Sequence, residues 1–262
     1  TINLDFPSRG ATENLMMAAS LAEGKTVMEN CAQEPEIVDL AKFLNRMGAK
    51  IEGAGSPTIT INGVEKLGGG TYAIMPDRVE AGTFAILGAM TKGSISIENC
   101  EPNHIMALIN KLREMGAEVS IFENSLTVKA TKALKAIEAK TLPYPGFATD
   151  MQAQLMAALC LAEGSSTITE TIFENRFMHV SELARMGANI TIHDRSAVIH
   201  GVKSLKGAPV SATDLRAGAA MVLAGLVAQG TTEINQVFHI DRGYEDLVGR
   251  IRELGANIRR EE

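Results

Sequence analysis

The sequence repeats itself four times, and this repetition constrains the fold more than any other feature. A phrase that ends in glycine recurs as Leu21-Ala-Glu-Gly24, Met90-Thr-Lys-Gly93, Leu161-Ala-Glu-Gly164 and Val227-Ala-Gln-Gly230. The spacings between these glycines are 69, 71 and 66 residues. A second phrase recurs at spacings of 68, 71 and 68 residues and ends in a Gly-Ala pair at Gly48, Gly116, Gly187 and Gly255. Two markers in register indicate one structural unit that is used four times.

Each unit is predicted to run strand, buried helix, strand, amphipathic helix, strand, strand. Nearly all-apolar segments lead to the first glycine of each unit, at residues 15–22, 84–90, 155–162 and 219–228. A helix that is apolar on every side is typical of a buried helix. A short strand rich in Thr, Ile and Val follows, then an amphipathic helix that ends at the second glycine, where glycine readily adopts the left-handed cap conformation.

One such unit cannot cover its own apolar helix, so several units must pack these helices together. The pattern therefore predicts an α/β (α+β) protein. The fourth unit has only four residues after Ile258, and we expect its closing strand to be absent or to come from elsewhere. The chain begins at Thr1 without an initiator methionine, so we expect that an upstream segment has been removed.

Composition argues against several classes of protein. The 25 basic and 31 acidic residues give a net charge of −6, and the aromatic residues are few, which disfavours nucleic acid as a partner. No apolar run reaches the roughly 18 to 20 residues of a spanning helix and no leader is seen, so we expect a cytoplasmic protein without a membrane partner. Cys31, Cys100 and Cys160 lie too far apart for a metal cluster, and we expect neither metal nor cofactor.

A polar cluster precedes each apolar helix, where unpaired backbone N–H groups favour anions. The clusters are Ser8-Arg9-Gly10, Asp77-Arg78-Val79-Glu80, Thr149-Asp150-Met151-Gln152 and Thr213-Asp214-Leu215-Arg216. Each Asp, Ser or Thr can be a helix cap. Capping does not explain Gln152, Gln154 and Arg216, because buried polar side chains need hydrogen-bond partners.

Arg176 and Arg242 form part of a second kind of cluster, between the middle strand and the amphipathic helix. A cation at a helix N-terminus is disfavoured unless an anion lies between. Both arginines are therefore candidates for binding a ligand phosphate or carboxylate. The alternative is a structural ion pair with Glu174 or Asp241.

Several phrases resemble the UDP-N-acetylglucosamine enolpyruvyl transferase family, also called UDP-N-acetylglucosamine 1-carboxyvinyltransferase, over essentially the whole chain. They are Glu34-Pro-Glu-Ile-Val-Asp39, Pro76-Asp-Arg78, Thr149-Asp-Met-Gln-Ala-Gln154, Phe173-Glu-Asn-Arg-Phe-Met-His-Val180, Ala212-Thr-Asp-Leu-Arg216 and His239-Ile-Asp-Arg-Gly-Tyr-Glu245. The resemblance implies an inside-out α/β barrel, with six repeats in two domains. Four repeats are present: residues 1–75 resemble the last repeat of the first domain, and 76–262 resemble the second domain without its closing strand.

The family transfers the enolpyruvyl group of phosphoenolpyruvate to the 3-hydroxyl of UDP-N-acetylglucosamine and releases phosphate. This is the first committed step of peptidoglycan synthesis, and the family is the target of fosfomycin. The resemblance therefore implies phosphoenolpyruvate and UDP-N-acetylglucosamine as partners. The family's loop cysteine and N-terminal lysine belong to the absent part. We therefore expect this chain alone to be inactive and to need the N-terminal segment of its own chain as a further partner.

The resemblance also implies site residues. Asp150 corresponds to the general base at the 3-hydroxyl, and Asp214 and Arg216 to active-site residues of the same face. Arg176 and Arg242 correspond to phosphoenolpyruvate contacts, Arg242 being counted with the catalytic residues. Ile172 corresponds to a sugar-nucleotide contact, and Ser8, Arg9 and Gly10 to the nucleotide contact. Phe6 and Arg9 stand where family members often carry Lys and Val, so the nucleotide contact can be altered here.

Two alternatives stay open. The 3-phosphoshikimate enolpyruvyl transferases share the six-repeat plan, but they are not expected to carry both Asn175-Arg-Phe-Met-His179 and Ile240-Asp-Arg-Gly243. A noncatalytic sugar-nucleotide-binding relative would keep the scaffold and lack the nucleophile.

Overall fold

The computed structural model describes residues 1–261. The chain divides into two compact parts, which are larger than the sequence repeats and are called unit 1 and unit 2 from here on. Unit 1 comprises Thr1–Pro76 together with Pro143–Pro145. Unit 2 comprises Asp77–Leu142 and the chain from Gly146 onward. Each unit has a hydrophobic core of its own.

Unit 1 holds one complete repeat. Its elements are β1 (Ile2–Asn3), α1 (Arg9–Ser20), β2 (Lys25–Glu29), α2 (Pro35–Arg46), β3 (Lys50–Glu52) and β4 (Thr58–Asn62). The strands form one sheet in the order β1-β2-β4-β3, in which β1 is parallel to β2 and the other pairs are antiparallel. The predicted order of elements is confirmed in this repeat.

Helix α1 is less buried than its apolar sequence predicts. Its buried residues are Thr12, Met16, Ala19 and Ser20, whereas Met17 is 43% exposed. The expectation of a helix buried on every side is therefore wrong here. The reason is that α2 and β4 are the main elements of unit 1 that pack against α1, and they cover only part of its surface.

Unit 2 holds the remaining three repeats. The first contains α3 (Arg78–Met90), β5 (Ser94–Glu98), a 3-10 helix (Pro102–Ile105), α4 (Met106–Glu114), β6 (Glu118–Phe122) and β7 (Ser125–Lys129). The second contains β8 (Glu138–Lys140), a 3-10 helix (Thr149–Met151), α5 (Gln152–Leu159), β9 (Ser165–Thr169), α6 (His179–Arg185), β10 (Asn189–His193) and β11 (Ser196–His200). The third contains β12 (Pro209–Ser211), α7 (Leu215–Val227), β13 (Glu233–Asn235), α8 (Phe238–Asp241) and α9 (Leu247–Glu253).

Helices α3, α5 and α7 form the centre of unit 2. They pack against one another, and each also packs against strands of its own repeat. All eight residues of α5 are buried, as are most residues of α3 and α7. The prediction of buried apolar helices and of an α/β fold is therefore confirmed for this unit. No helix in residues 1–261 combines the length and the apolar character needed to cross a membrane.

The three sheets of unit 2 are not equally complete. Their strand orders are β5-β7-β6, β10-β11-β9-β8 and β12-β13. The middle strand β9 has a parallel neighbour, β8, and an antiparallel neighbour, β11. Among the described residues, β5 has only the antiparallel neighbour and β13 has only the parallel one. Compared with the four-stranded sheets of the complete repeats, the described residues leave one strand position unfilled beside β5 and two unfilled beside β13.

Two glycines allow the chain that follows β11 and β4 to lie close to the turns that follow α5 and α1. Gly201 follows β11, and a Cβ atom built on it would lie 1.6 Å from the carbonyl oxygen of Ala162. Gly63 follows β4 and has the same relation to Ala22, at 1.5 Å. A side chain at either position would have to displace backbone, which cannot yield as a flexible side chain does.

His179 is a core residue rather than a surface histidine. It is 2% exposed, and its Nε2 lies 3.2 Å from the sulfur of Met156. Burial lowers the pKa of His179 to about 4, and the charge of Arg176 acts in the same direction while Asp214 opposes it. The imidazole is therefore neutral at pH 7.

The variant Gly201→Ala should destabilise the protein by about 1 to 3 kcal/mol, because the new methyl group meets backbone. Thermal or urea unfolding measures the change. Gly93→Ala is a suitable control, since its Cβ would meet only Thr91 Oγ1 at an ordinary 3.6 Å. Equal stabilities of the two variants would contradict the close approach at Gly201.

Stability should fall as the pH drops from about 6.5 to about 4, because the unfolded chain binds a proton at His179 in this range while the folded chain does not. The loss amounts to up to about 3 kcal/mol. His179→Gln removes this contribution, so the stability difference between wild type and variant should shrink over that range. Urea unfolding at several pH values measures it. The exposed-site variant His193→Gln should follow the wild type; a constant difference for His179→Gln would refute the prediction.

Candidate active site

Asp150 lies at the centre of a polar cluster in unit 2. It belongs to the 3-10 helix that leads into α5. Its Oδ1 accepts a hydrogen bond from Arg176 Nη2 at 2.9 Å, and its Oδ2 accepts one from Arg216 Nη2 at 3.3 Å. The Asp150 side chain is 21% exposed, so a ligand can reach it although both oxygens are held by charged partners.

Arg176 comes to Asp150 from the loop between β9 and α6. Its Nη1 also donates to Thr149 Oγ1 at 3.0 Å, and its guanidinium lies 4.7 Å from the ring centroid of Phe173. Glu174 pairs instead with Arg195, at 3.5 Å. Of the alternatives left by the sequence, the local ion pair with Glu174 is therefore wrong, and the anion beside Arg176 is Asp150.

Arg216 comes from the first turn of α7, and Asp214 sets the position of that turn. Asp214 Oδ1 accepts hydrogen bonds from the backbone N–H groups of Arg216 and Ala217, at 2.8 and 2.9 Å. Asp214 is thus a helix cap in this structure. Burial disfavours the charged form of Arg216, but Asp150, Tyr244 and Asp77 together outweigh it and raise the Arg216 pKa, so the guanidinium stays protonated.

Tyr244 joins Arg216 to the two other central helices. The Thr83 hydroxyl on α3 donates to Val79 O at 2.9 Å, so Tyr244 donates its own proton to Thr83 across 2.8 Å. Gln154 Nε2, on α5, lies 3.4 Å from the Tyr244 oxygen, and Arg216 lies close enough to Tyr244 for its charge to act on the phenol. Burial raises the pKa of Tyr244, so the phenol stays neutral at pH 7. The cluster is thereby tied to α3, α5 and α7.

The two buried glutamines differ. Gln154 Nε2 also donates to Asp150 O at 3.0 Å, which explains this polar residue in an apolar helix. Neither amide atom of Gln152 has a hydrogen-bond partner among the described residues, nor does Gln154 Oε1. The expectation that buried polar groups find partners is therefore met at Gln154 Nε2 and not at Gln152.

Arg242 is not where the sequence pattern predicts it. The expected single amphipathic helix is broken into α8 and α9, since Asp246 adopts a left-handed conformation with φ 43° and caps α9. Arg242 follows α8 as its C-cap instead of preceding a helix. It is exposed and makes no ion pair within residues 1–261. Asp241, its alternative partner, pairs with Arg260 through two bonds of 2.9 and 2.7 Å.

The other predicted contact residues lie on separate segments. Ile172 belongs to the loop that carries Arg176, and its N–H donates to Glu170 Oε1 at 2.8 Å. Ser8, Arg9 and Gly10 belong to unit 1. There Ser8 Oγ accepts from Ala11 N at 3.3 Å as the cap of α1, and Arg9 lies 3.8 Å from Glu13 and 3.6 Å from Glu36.

Sequence reasoning missed Glu170, Thr83 and the role of Tyr244. Glu170 is a charged residue directly after an apolar strand, which is the one signal that could have marked it. Thr83 and Tyr244 lie 161 residues apart, and no local pattern connects them.

The cluster suits an anionic ligand with an exchangeable proton. Arg176 and Arg216 can grip phosphate or carboxylate oxygens, and Asp150 can accept a proton from a hydroxyl group. Within the described part of the chain, no group of three or more His, Cys, Asp or Glu side chains could hold a metal ion.

Curated relatives are similar to this chain over 99% of its length. UDP-N-acetylglucosamine 1-carboxyvinyltransferase 1 of Caldanaerobacter subterraneus is 60% identical over 259 residues. The enzymes named UDP-N-acetylglucosamine 1-carboxyvinyltransferase of Finegoldia magna and Staphylococcus aureus are 57% and 56% identical. The chain spans 62% of the length of these relatives.

Solved structures share the fold. The enolpyruvyl transferase NikO from Streptomyces tendae matches with a TM-score of 0.89 and 28% identity, over 97% of this chain and 61% of that one. EPSP synthase from Acinetobacter baumannii matches with a TM-score of 0.75 and 19% identity, over 99% of this chain and 63% of that one. The predicted enolpyruvyl transferase-like fold is thus confirmed.

The sequence model of one protein family covers nearly the entire chain. It is described as EPSP synthase (3-phosphoshikimate 1-carboxyvinyltransferase) and matches residues 1–251. The four repeats and the Asp150 cluster lie largely within this match. The chain belongs to the EPSP synthase family.

Proposed function

We propose that this chain forms most of the active site of a UDP-N-acetylglucosamine 1-carboxyvinyltransferase. The observation that carries the proposal is the Asp150 carboxylate held between the guanidinium groups of Arg176 and Arg216. Relatives that are 56 to 60% identical and bear this name support the same conclusion. The reaction would transfer the enolpyruvyl group of phosphoenolpyruvate to the 3-hydroxyl of UDP-N-acetylglucosamine and release phosphate.

In this reaction Asp150 would act as the general base. The 3-hydroxyl loses its proton to the Asp150 carboxylate while its oxygen bonds to the enolpyruvyl carbon, and the bond from that carbon to the phosphate oxygen breaks. Arg176 and Arg216 would bind the phosphate or carboxylate oxygens of phosphoenolpyruvate. Because Asp150 also pairs with both arginines, the hydroxyl would be deprotonated next to the guanidinium groups that bind phosphoenolpyruvate.

The remaining predicted residues have supporting roles in the proposal. Arg242 has a guanidinium without a described ion-pair partner and would bind phosphoenolpyruvate. Asp214 would act through the helix cap that places Arg216. Ile172, on the loop of Arg176, would contact the sugar nucleotide, and Ser8, Arg9 and Gly10 would contact its nucleotide portion.

We propose that further chain completes both units. Residues 1–75 would be the last repeat of a first domain, and two additional repeats would cover the exposed side of α1. A strand from an N-terminal segment would close the last repeat beside β13. The support is that β13 lacks the antiparallel neighbour that the complete repeats have, and that the chain spans only 62% of its relatives.

The same proposal sets the biological context. The reaction would take place in the cytoplasm as the first committed step of peptidoglycan synthesis. Cell-wall biogenesis, cell shape and cell division would then depend on it, and fosfomycin would target the complete enzyme through a loop outside this chain.

A second candidate is 3-phosphoshikimate 1-carboxyvinyltransferase, because the matching family model carries that description. The two candidates differ in the acceptor hydroxyl compound and share phosphoenolpyruvate. Against it stands the weaker likeness to EPSP synthase structures, at 19% identity.

Phosphate release from phosphoenolpyruvate tests the proposal directly. The assay compares UDP-N-acetylglucosamine with shikimate 3-phosphate, using this chain and a chain extended upstream to the length of the relatives. We expect release only with UDP-N-acetylglucosamine and only from the extended chain. Release with shikimate 3-phosphate would favour the second candidate, and activity of the 262-residue chain would refute the need for further segments.

Asp150→Asn in the extended chain should lower kcat by about 100-fold to 10,000-fold, because the amide cannot accept the hydroxyl proton. Steady-state kinetics measure kcat and KM separately. Asp194→Asn is the control: Asp194 occupies the exposed turn between β10 and β11 at φ 50°, a conformation that Asn tolerates. A kcat of Asp150→Asn within a few-fold of the control would exclude Asp150 as the general base.

A further inference from the structure

Glu170 is a carboxylate buried in a repeat protein whose other repeats have no carboxylate at that place. It is 1% exposed and directly follows β9. Its N–H donates to Arg195 O, just before β11. Cys31 N and Cys100 N make the same bond, to Pro57 O just before β4 and to Asn124 O just before β7.

The chain leaves this position differently in the repeat that contains Glu170. In the first two repeats Asn30 and Asn99 precede the cysteine and adopt left-handed conformations, with φ of 56° and 51°. No such residue precedes Glu170, and the left-handed residue is Asn175, at φ 55°. The loop between β9 and α6 is longer than the loop between β2 and α2, and it carries Ile172, Phe173 and Arg176.

The Glu170 carboxylate accepts four hydrogen bonds, two of them from the backbone of this loop. Its Oε1 accepts from Thr141 Oγ1 at 2.7 Å, from Ile172 N at 2.8 Å and from Phe173 N at 3.2 Å. Its Oε2 accepts from Thr149 Oγ1 at 2.8 Å. A carboxylate is an acceptor at both oxygens, so it satisfies four donors without a competing proton.

The bond to Thr149 reaches the Asp150 cluster. Thr149 gives its only hydroxyl proton to Glu170, so its oxygen is left as an acceptor for Arg176 Nη1 at 3.0 Å. Arg176 then directs Nη2 at Asp150 Oδ1, 2.9 Å away. The chain of contacts therefore runs from a buried anion, through one hydroxyl, to the arginine and the acid of the site.

We propose that Glu170 is a positioning residue for the transfer reaction: it orients Arg176 through the Thr149 hydroxyl and holds the Ile172–Phe173 backbone. This inference rests on the proposed function, and it assigns Glu170 no contact with substrate. A glutamine at this position would keep only a neutral carbonyl oxygen for the donors at Oε1, and its NH2 group would face Thr149, whose hydroxyl proton would lose its acceptor.

Amide hydrogen exchange of the 262-residue chain tests the loop directly, without substrate. Glu170→Gln should speed exchange at Ile172 and Phe173 by about ten-fold or more, because their shared acceptor is weakened. Glu182→Gln is the matched control: Glu182 is also buried and accepts from a backbone N–H, that of Ser211 at 2.9 Å, away from the loop. Unchanged exchange in Glu170→Gln would overturn the proposal.

Steady-state kinetics of the chain extended upstream to the length of the relatives test the route through Thr149. Glu170→Gln and Thr149→Val should each lower kcat/KM by about 10-fold to 100-fold. The kcat/KM of the double variant should equal that of the less active single variant, because both changes break the same chain of contacts. Glu182→Gln should retain wild-type kcat/KM. If the two losses of kcat/KM multiply in the double variant, the positioning role of Glu170 is overturned, while the proposed function is not. Failure of the wild-type protein to turn over would reject the proposed function itself.

Discussion

The mutual burial of α3, α5 and α7 is the constraint on which the rest of unit 2 depends. Each of these helices is too apolar to be covered by its own repeat, so the three must pack together. Because each repeat places a polar residue or cap at the start of its helix, packing the helices also brings those polar groups together. Tyr244, in contact with Thr83, Gln154 and Arg216, marks their meeting point. The site is therefore a consequence of how the core is assembled.

Periodic features of the fold could be predicted from sequence, and features set by distant neighbours could not. The order of elements and the glycine helix ends follow from local patterns: Gly48, Gly116, Gly187 and Gly255 all have positive φ. The exposure of α1 does not follow from its sequence, because burial depends on what packs against a helix. The break between α8 and α9 was missed because its cause is the left-handed Asp246, an unusual conformation for that residue.

In the candidate site, too, residues marked by a local pattern could be predicted, and contacts with distant residues could not. The phrase around Asp150 marked the acid, and its helix-start position was as predicted. The partner of Arg176 was ambiguous, since Glu174 is near in sequence while Asp150 is 26 residues away. Glu170 was overlooked because a charged residue in a sequence is ordinarily exposed. Only the surrounding donors, drawn from four positions of the chain, make its burial tolerable.

The three helix starts have a consequence for anion binding. Peptide dipoles give each helix a partial positive charge at its N-terminal end, equivalent to roughly half an elementary charge. Asp77 and Asp214 cap α3 and α7, and Asp150 lies just before α5, so each of these ends already has a carboxylate beside it. Asp150 also pairs with Arg176 and Arg216. An anion that binds these arginines therefore competes with Asp150 for them and does not meet an uncompensated positive field.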